Sequence, residues 1–195
     1  MRARASLIVA GAVLACAIGG TALVVNLFGS GSNPFASKVT SATALTCPAA
    51  ADVTVGSITV PAGPVAGYCQ AQLVNAAEIM NAGDTMGVGP HTKAIGVMTA
   101  MGESGLRNLD YGDAAGADSR GLFQQRDNGA WGTLADRMDP YTAAVNFFGA
   151  LEALPDWTSL TPTEAAHAVQ VNADPNYYAN YFADAETVVT TLSGR

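Results

Sequence analysis

Glu103 closes an apolar run with helical spacing, Val97-Met98-Thr99-Ala100-Met101-Gly102, and a polar loop rich in Gly and Asp follows it. That loop carries Asp110, Asp113 and Asp118 and returns through Gly121-Leu122-Phe123-Gln124. An acid at the end of a packed helix, facing a polar mouth, suits general-acid chemistry. Apolar neighbours such as Met98, Met101 and Leu106 disfavour the carboxylate and hold the proton on near neutral pH. The partial negative charge of a helix C-terminus acts in the same direction. Protonating a poorly basic leaving oxygen, as in a glycosidic bond, needs such a group. The plain alternative is a solvated Glu at a helix end. For Asp110 and Asp113, solvated turn residues are the plainer reading.

Other chemistries fit these residues poorly. Gly102-Glu103-Ser104-Gly105 is not a nucleophile elbow, because Leu106 stands where that pattern needs Gly. His91 and His167 are single histidines without metal-ligand spacing. The Asp residues lack the spacing and final Glu of a calcium loop, and no Gly-rich phosphate cradle occurs. Neither a metal nor a cofactor is expected. Arg107, Arg120 and Arg126 lie in the same stretch, with Asp110, Asp113 and Asp118 as ready partners.

Helices are expected to position the acid. Leu73, Ala76, Ala77 and Met80 recur on one helical face from Gln70 to about Met86-Gly87. Pro90 suits the first turn of a second helix running into Glu103. Ile95, Met98 and Met101 lie along its inner side, and it is apolar almost all round, as a buried central helix would be. Leu109 to Phe123 carries too many Gly and Asp for a helix and is expected to be a loop or small hairpin. Asp139-Pro140 opens a third helix, with Tyr141, Ala144, Val145, Phe148 and Leu151 as its stripe and Pro155 as its end. Thr161-Pro162-Thr163-Glu164 is a capping box for a short helix through Val171. A last helix is expected from Pro175, with Tyr178, Tyr181, Phe182, Ala185 and Val189 inward. Ahead of all these, Val53 to Val60 alternates as a short strand that Pro61 and Pro64 stop.

The 195 residues are 49% hydrophobic and 13% charged, enough for one helical domain with a core plus appendages. Arg2 and Arg4 precede an apolar run from Leu7 to Phe28 that is long enough to span a bilayer as a helix. Its length favours an uncleaved anchor with the chain after Gly29 outside the cell; a cleaved signal peptide is the alternative. Residues 29–46 are Ser-, Gly-, Thr- and Ala-rich and read as a flexible tether. Nine Lys/Arg, two of them Arg2 and Arg4, stand against sixteen Asp/Glu, so the exported part is strongly acidic. Nucleic acid is thereby not expected as a partner, since neutralising phosphates takes a basic footprint. Besides Cys16 there are Cys47 and Cys69, which in an exported segment are expected to pair and pin a lead-in arm over residues 47–69. The domain proper is expected over residues 70–195.

Glu103-Ser104 followed by Gly121-Leu122-Phe123-Gln124 resembles the Glu-Ser and Gly-Leu-Met-Gln signature of the soluble lytic transglycosylase and goose-type lysozyme superfamily. The likeness is closer to a subgroup found in exported wall hydrolases of Gram-positive bacteria. That subgroup carries E-S-G-L-R-N-L-D-Y-G-D and D-S-x-G-L-F-Q-Q-R, which stand here at Glu103–Asp113 and Asp118–Arg126. Trp131-Gly132, Met138-Asp139-Pro140, Ala168-Val169-Gln170 and Tyr178 echo its later segments, so the resemblance spans roughly Gln70 to Phe182. A proline that commonly follows the Gln-Gln-Arg step is replaced by Asp127, which puts the shape of that loop in question.

The resemblance implies a mainly α, lysozyme-like domain that cleaves the MurNAc–GlcNAc β-1,4 bond of peptidoglycan glycan strands. Glu103 would protonate the leaving oxygen and then act as base while the sugar's 6-hydroxyl attacks, leaving a 1,6-anhydro end. In a water-using muramidase a second carboxylate assists, with Asp110 and Asp113 the nearest candidates. Ser104 and Gln124 match cleft-lining positions of the family; Gln125, Gln170 and Tyr178 are weaker candidates, and Tyr178 fits the core equally well. A further alternative is a module that binds peptidoglycan without cutting it, as a scaffold in an envelope machine with partners unknown.

Overall fold

Helix boundaries marked by Gly or Pro and one disulfide set the frame of the chain in the computed structural model, which describes residues 46–114 and 116–194. These residues belong to one unit, Thr43–Arg195. The anchor expected over residues 7–28 and the tether up to residue 45 lie outside the described residues. Among the described residues, no helix is long and apolar enough to cross a membrane.

The architecture is mainly helical with a small two-stranded sheet. Strands β1 (Val53–Val55) and β2 (Ile58–Val60) pair antiparallel, with Val53 opposite Val60 and Val55 opposite Ile58. The single strand expected over Val53 to Val60 is therefore a hairpin. Gly56 supplies the reversal at φ +59°, and Asn81 Nδ2 donates to Val55 O at 2.9 Å to fasten it.

Helix α1 (Gln70–Met86) buries Leu73, Ala76, Ala77 and Met80 as its spacing predicts, and Gly87 closes it in the left-handed conformation. Helix α2 (Pro90–Ser104) begins with Pro at its first turn, and every residue from Thr92 to Met101 is buried. It is the central helix. Gly96 lets it approach helix α4 (Pro140–Glu152), where a Cβ would meet the Phe148 ring at 2.7 Å. Asp139 caps α4 by accepting from Thr142 N at 2.8 Å. Thr161 and Glu164 form the expected capping box of α5 (Pro162–Gln170), which stops one residue short of Val171. Helix α6 (Phe182–Ser193) packs back on α2.

Two further elements depart from expectation. A short helix α3 (Leu134–Met138) precedes α4, opened by a Thr133–Asp136 capping box that is too brief to show a hydrophobic period. The last helix starts at Phe182 rather than Pro175, after turns and a 3-10 segment at Ala179–Tyr181. Tyr178 is fully buried all the same, whereas Tyr181 and Phe182 are half-buried. The turn delivers that ring inward where a helical stripe was expected to.

Cys47 and Cys69 pair, with Cα atoms 5.4 Å apart and a sequence separation of 22. Cys69 is also the N-cap residue of α1, so the bond pins the lead-in arm to a helix start. Replacing both with alanine is expected to lower stability by about 3 kcal/mol. The fold should survive, because Gln70 Nε2 also holds the arm through Ala51 O at 2.7 Å. Urea unfolding with and without reductant measures the difference.

Candidate active site

Where α2 ends, Gly105 and Leu106 are both left-handed, and their N–H groups close back on Met101 O and Ala100 O at 3.0 and 3.1 Å. This abrupt stop leaves Glu103 in the last turn, facing a cleft of about 690 Å³. Arg107, Tyr111, Asp113, Gln124, Gln170 and Asn172 are among the other lining residues.

The far wall is the Gly121-Leu122-Phe123-Gln124 turn. Arg120 and Gln125 pair through their backbones at 3.1 and 3.0 Å, and Gly121 N donates to Leu109 O at 2.8 Å. Leu122 and Phe123 are fully buried, and Phe123 stacks on Phe147 with centroids 4.9 Å apart. The apolar pair thus sinks the turn into the core and leaves Gln124, at φ +47°, on the cleft with Nε2 donating to Gly121 O at 3.2 Å. The small hairpin or loop expected over Leu109 to Phe123 is a loop held by isolated bridges.

Glu103 is held from the opposite side. The Tyr178 hydroxyl donates to Glu103 Oε1. Gln170 lines the same cleft, and its Nε2 donates to Phe123 O at 2.7 Å. Tyr177 stacks edge-on against Tyr178 and donates to Gly102 O at 2.9 Å. Gly102 permits this approach, since a Cβ there would meet the Tyr178 ring at 2.8 Å. Burial pushes the Glu103 carboxyl above its usual range. The Tyr178 bond and the Gln170 amide offset part of that rise, and the Asp113 charge adds to it. Burial, and then the Glu103 charge, push the Tyr178 hydroxyl far up, so it remains a donor.

The other sequence candidates separate clearly. Ser104 is not on the cleft: it is buried, its hydroxyl lies 2.8 Å from Leu122 O and accepts from Arg107 N at 3.2 Å. It clasps the end of α2 to the far-wall turn. Asp113 lines the cleft and accepts from Gly116 N at 2.8 Å, whereas Asp110 is exposed and outside the lining. Gln125 is in the wall but only 2% exposed, with Nε2 donating to Ala143 O at 3.0 Å. Tyr178 is the core residue of its two readings: it is fully buried, outside the cleft lining, and its hydroxyl is bonded internally to Glu103. Arg126 pairs with Asp118 at 2.7 Å, and that bond holds the Asp118 carboxyl down at about 2.

Sequence reasoning missed Arg137, Tyr177 and Asn172. Arg137 is 3% exposed, pairs with Asp127 at 3.1 Å and donates to Asp118 O at 3.2 Å, so it pins the loop beneath the cleft. Asp127 N also donates to Asp118 Oδ2 at 2.9 Å, a bond that proline at this position would lack. The departure from the motif thus carries its own fastening. Among the described residues, no cluster of three His, Cys, Asp or Glu could hold a metal ion. No protein-family model matches this chain, and no curated protein is significantly similar to it.

Proposed function

We propose that this chain is a peptidoglycan glycosidase of the lytic transglycosylase type, with Glu103 as acid and then base. The observation that carries the reading is a carboxyl held above its usual range by burial, bonded to Tyr178, and facing an open cleft that Gln124 of the Gly-Leu-Phe-Gln turn also lines. Glu103 gives its proton to the glycosidic oxygen as the C–O bond breaks. The resulting carboxylate takes the proton of the sugar's 6-hydroxyl while that oxygen bonds to C1, closing the 1,6-anhydro ring and restoring the acid. Both proton transfers use one protein group and one substrate hydroxyl. The Tyr178 hydroxyl stabilises the intermediate carboxylate through a charge-assisted bond.

The same proposal keeps residues 7–28 as a membrane anchor and puts the domain outside the cell, with glycan strands as its partner and nucleic acid excluded by the acidic surface. One observation favours a second reading, a water-using muramidase: Asp113 shares the cleft and its charge acts on Glu103. Mass spectrometry of fragments released from purified sacculi separates them. Anhydro-ended muropeptides are expected; reducing ends would move the assignment to the muramidase. Sedimentation with sacculi and no released fragments would replace both with a binding scaffold.

A further inference from the structure

The turn that ends α2 fixes a side chain the proposed chemistry does not use. Leu106 is left-handed at φ +58°, a conformation that residues with a Cβ rarely adopt. Leu106 itself is fully buried, and Arg107 is turned outward and exposed. Four bonds hold this shape. From α1, Gln72 Nε2 donates to Gly105 O and Asn75 Nδ2 to Leu106 O, both at 2.8 Å. Arg107 N donates to Ser104 Oγ at 3.2 Å, and Arg107 Nε donates to Ser104 O at 3.0 Å. Strain of this kind persists only where its surroundings over-determine it, and such places gather at functional sites. What this one sets is the position of Arg107, on the same cleft as Glu103. The way Arg107 is held decides what it can bind. A guanidinium carries five N–H donors in a planar fork and accepts nothing. Nε is taken by a main-chain oxygen, and the group lies back over Gly105, where a Cβ would stand 3.8 Å from Nε and 4.0 Å from Nη2. Nearby arginines are engaged at their ends: Arg126 with Asp118, Arg137 with Asp127, and Arg120 Nη1 with Ala117 O and Ser119 O. The hydrogen bonds and ion pairs among the described residues give Arg107 Nη1 and Nη2 no acceptor.

We propose that Arg107 is a specificity-determining residue of this cleft and takes a carboxylate carried by the glycan strand. The inference rests on the reading of the substrate as peptidoglycan and narrows it from a sugar polymer to an anionic one. The Nη1–Nη2 edge matches the two oxygens of one carboxylate, as a lysine ammonium would not. With Nε already tied to the backbone, the fork loses less freedom on binding than an untethered arginine would. The chain carries a net charge of −7, which opposes the approach of an anionic strand, so a local cation at the cleft is what admits one. Two positions on the polymer carry the group: the peptide stem, and the lactyl ether of a muramic acid that has lost its stem. Both present the same pair of oxygens to the fork.

The test measures binding, by calorimetry on the full chain carrying Glu103→Gln, so that nothing is cut. Soluble tetrasaccharide fragments whose peptide stems keep free carboxyls are compared with the same fragments after those carboxyls are converted to amides. The free fragments are expected to bind about fivefold tighter, the size of a charge-assisted bond at a partly exposed site. That advantage should shrink as salt is added. In Arg107→Gln it should vanish, and Arg107→Lys, which keeps the charge but not the fork, should keep part of it. Stem-free fragments with the lactyl carboxyl exposed form the third arm. If they, rather than the stem-bearing ones, lose affinity in Arg107→Gln, the carboxylate is that of the sugar. Affinity that depends neither on amidation nor, for stem-free fragments, on Arg107 would overturn the proposal. So would a loss in Arg107→Gln of equal size for all three kinds of fragment, the mark of a purely structural role. A wild type that binds these fragments but cuts none would remove the glycosidase reading and leave this comparison standing.

Discussion

Glu103→Gln is expected to lose at least about 10²-fold in glycan cleavage while the fold persists, since general-acid catalysis has that size. The amide matches the carboxyl in shape and its oxygen still accepts from Tyr178, so no cavity opens and no donor is stranded. What it cannot do is give up a proton and take one back. A second measurement comes from stability. Burial raises the Glu103 carboxyl above its usual 4.5, so as pH rises the unfolded chain releases this proton before the folded one does. The stabilisation linked to holding the proton is fully present below the unfolded value and is lost as pH climbs through the folded value. Glutamine does not titrate. The melting temperature of Glu103→Gln relative to wild type should therefore rise with pH across that window and level off above it. Retained turnover in the variant would end the assignment of Glu103. A difference that shrinks with pH would mean that the polar support from Tyr178 and Gln170 outweighs burial.

Helix starts were readable because each carries a local chemical mark: Pro90 at a first turn, Asp139 before Pro140, Thr161 with Glu164. Orientation at the site was less readable. Glu103 and Ser104 are neighbours, and adjacent residues on a helix point about 100° apart. With Glu103 on the cleft, Ser104 necessarily turns toward Leu122, although a motif names the two together. Asp110 and Asp113 could not be told apart by spacing in a loop without period; the Asp113–Gly116 turn decides which one faces the cleft. Asn172 had no sequence signal at all. Its place depends on Val171 adopting a left-handed conformation, which propensity assigns to Gly or Asn rather than to a β-branched residue. Tyr178 was anticipated as an inward residue of a helix, yet a turn supplies it, so the right side chain was reached through the wrong element.

Gly121→Ala is expected to be the most damaging small change in the far wall. Gly121 has φ +78°, and a Cβ there would sit 1.9 Å from Arg137 O and 3.1 Å from its carbonyl carbon. Neither neighbour is the tip of a flexible side chain. On the other side Gly121 N is bonded to Leu109 O, so the turn cannot back away without breaking that bridge. The left-handed conformation costs about 1–2 kcal/mol with a Cβ, and overpacking a filled site costs about 1–3 more. A total loss of about 2–5 kcal/mol follows. Function should fall further than stability, because displacing this turn moves Gln124 and the Phe123 carbonyl that holds Gln170 on the cleft. Gly129→Ala is the control: φ is +83°, but nothing lies within 4 Å of its Cβ. It should show only the conformational cost, about 1–2 kcal/mol, with cleavage unchanged. Denaturant midpoints and glycan release, measured on both variants at a temperature where each is folded, test the pair. Equal losses at the two positions would mean that contact with the Arg137 carbonyl does not set the shape of the far wall.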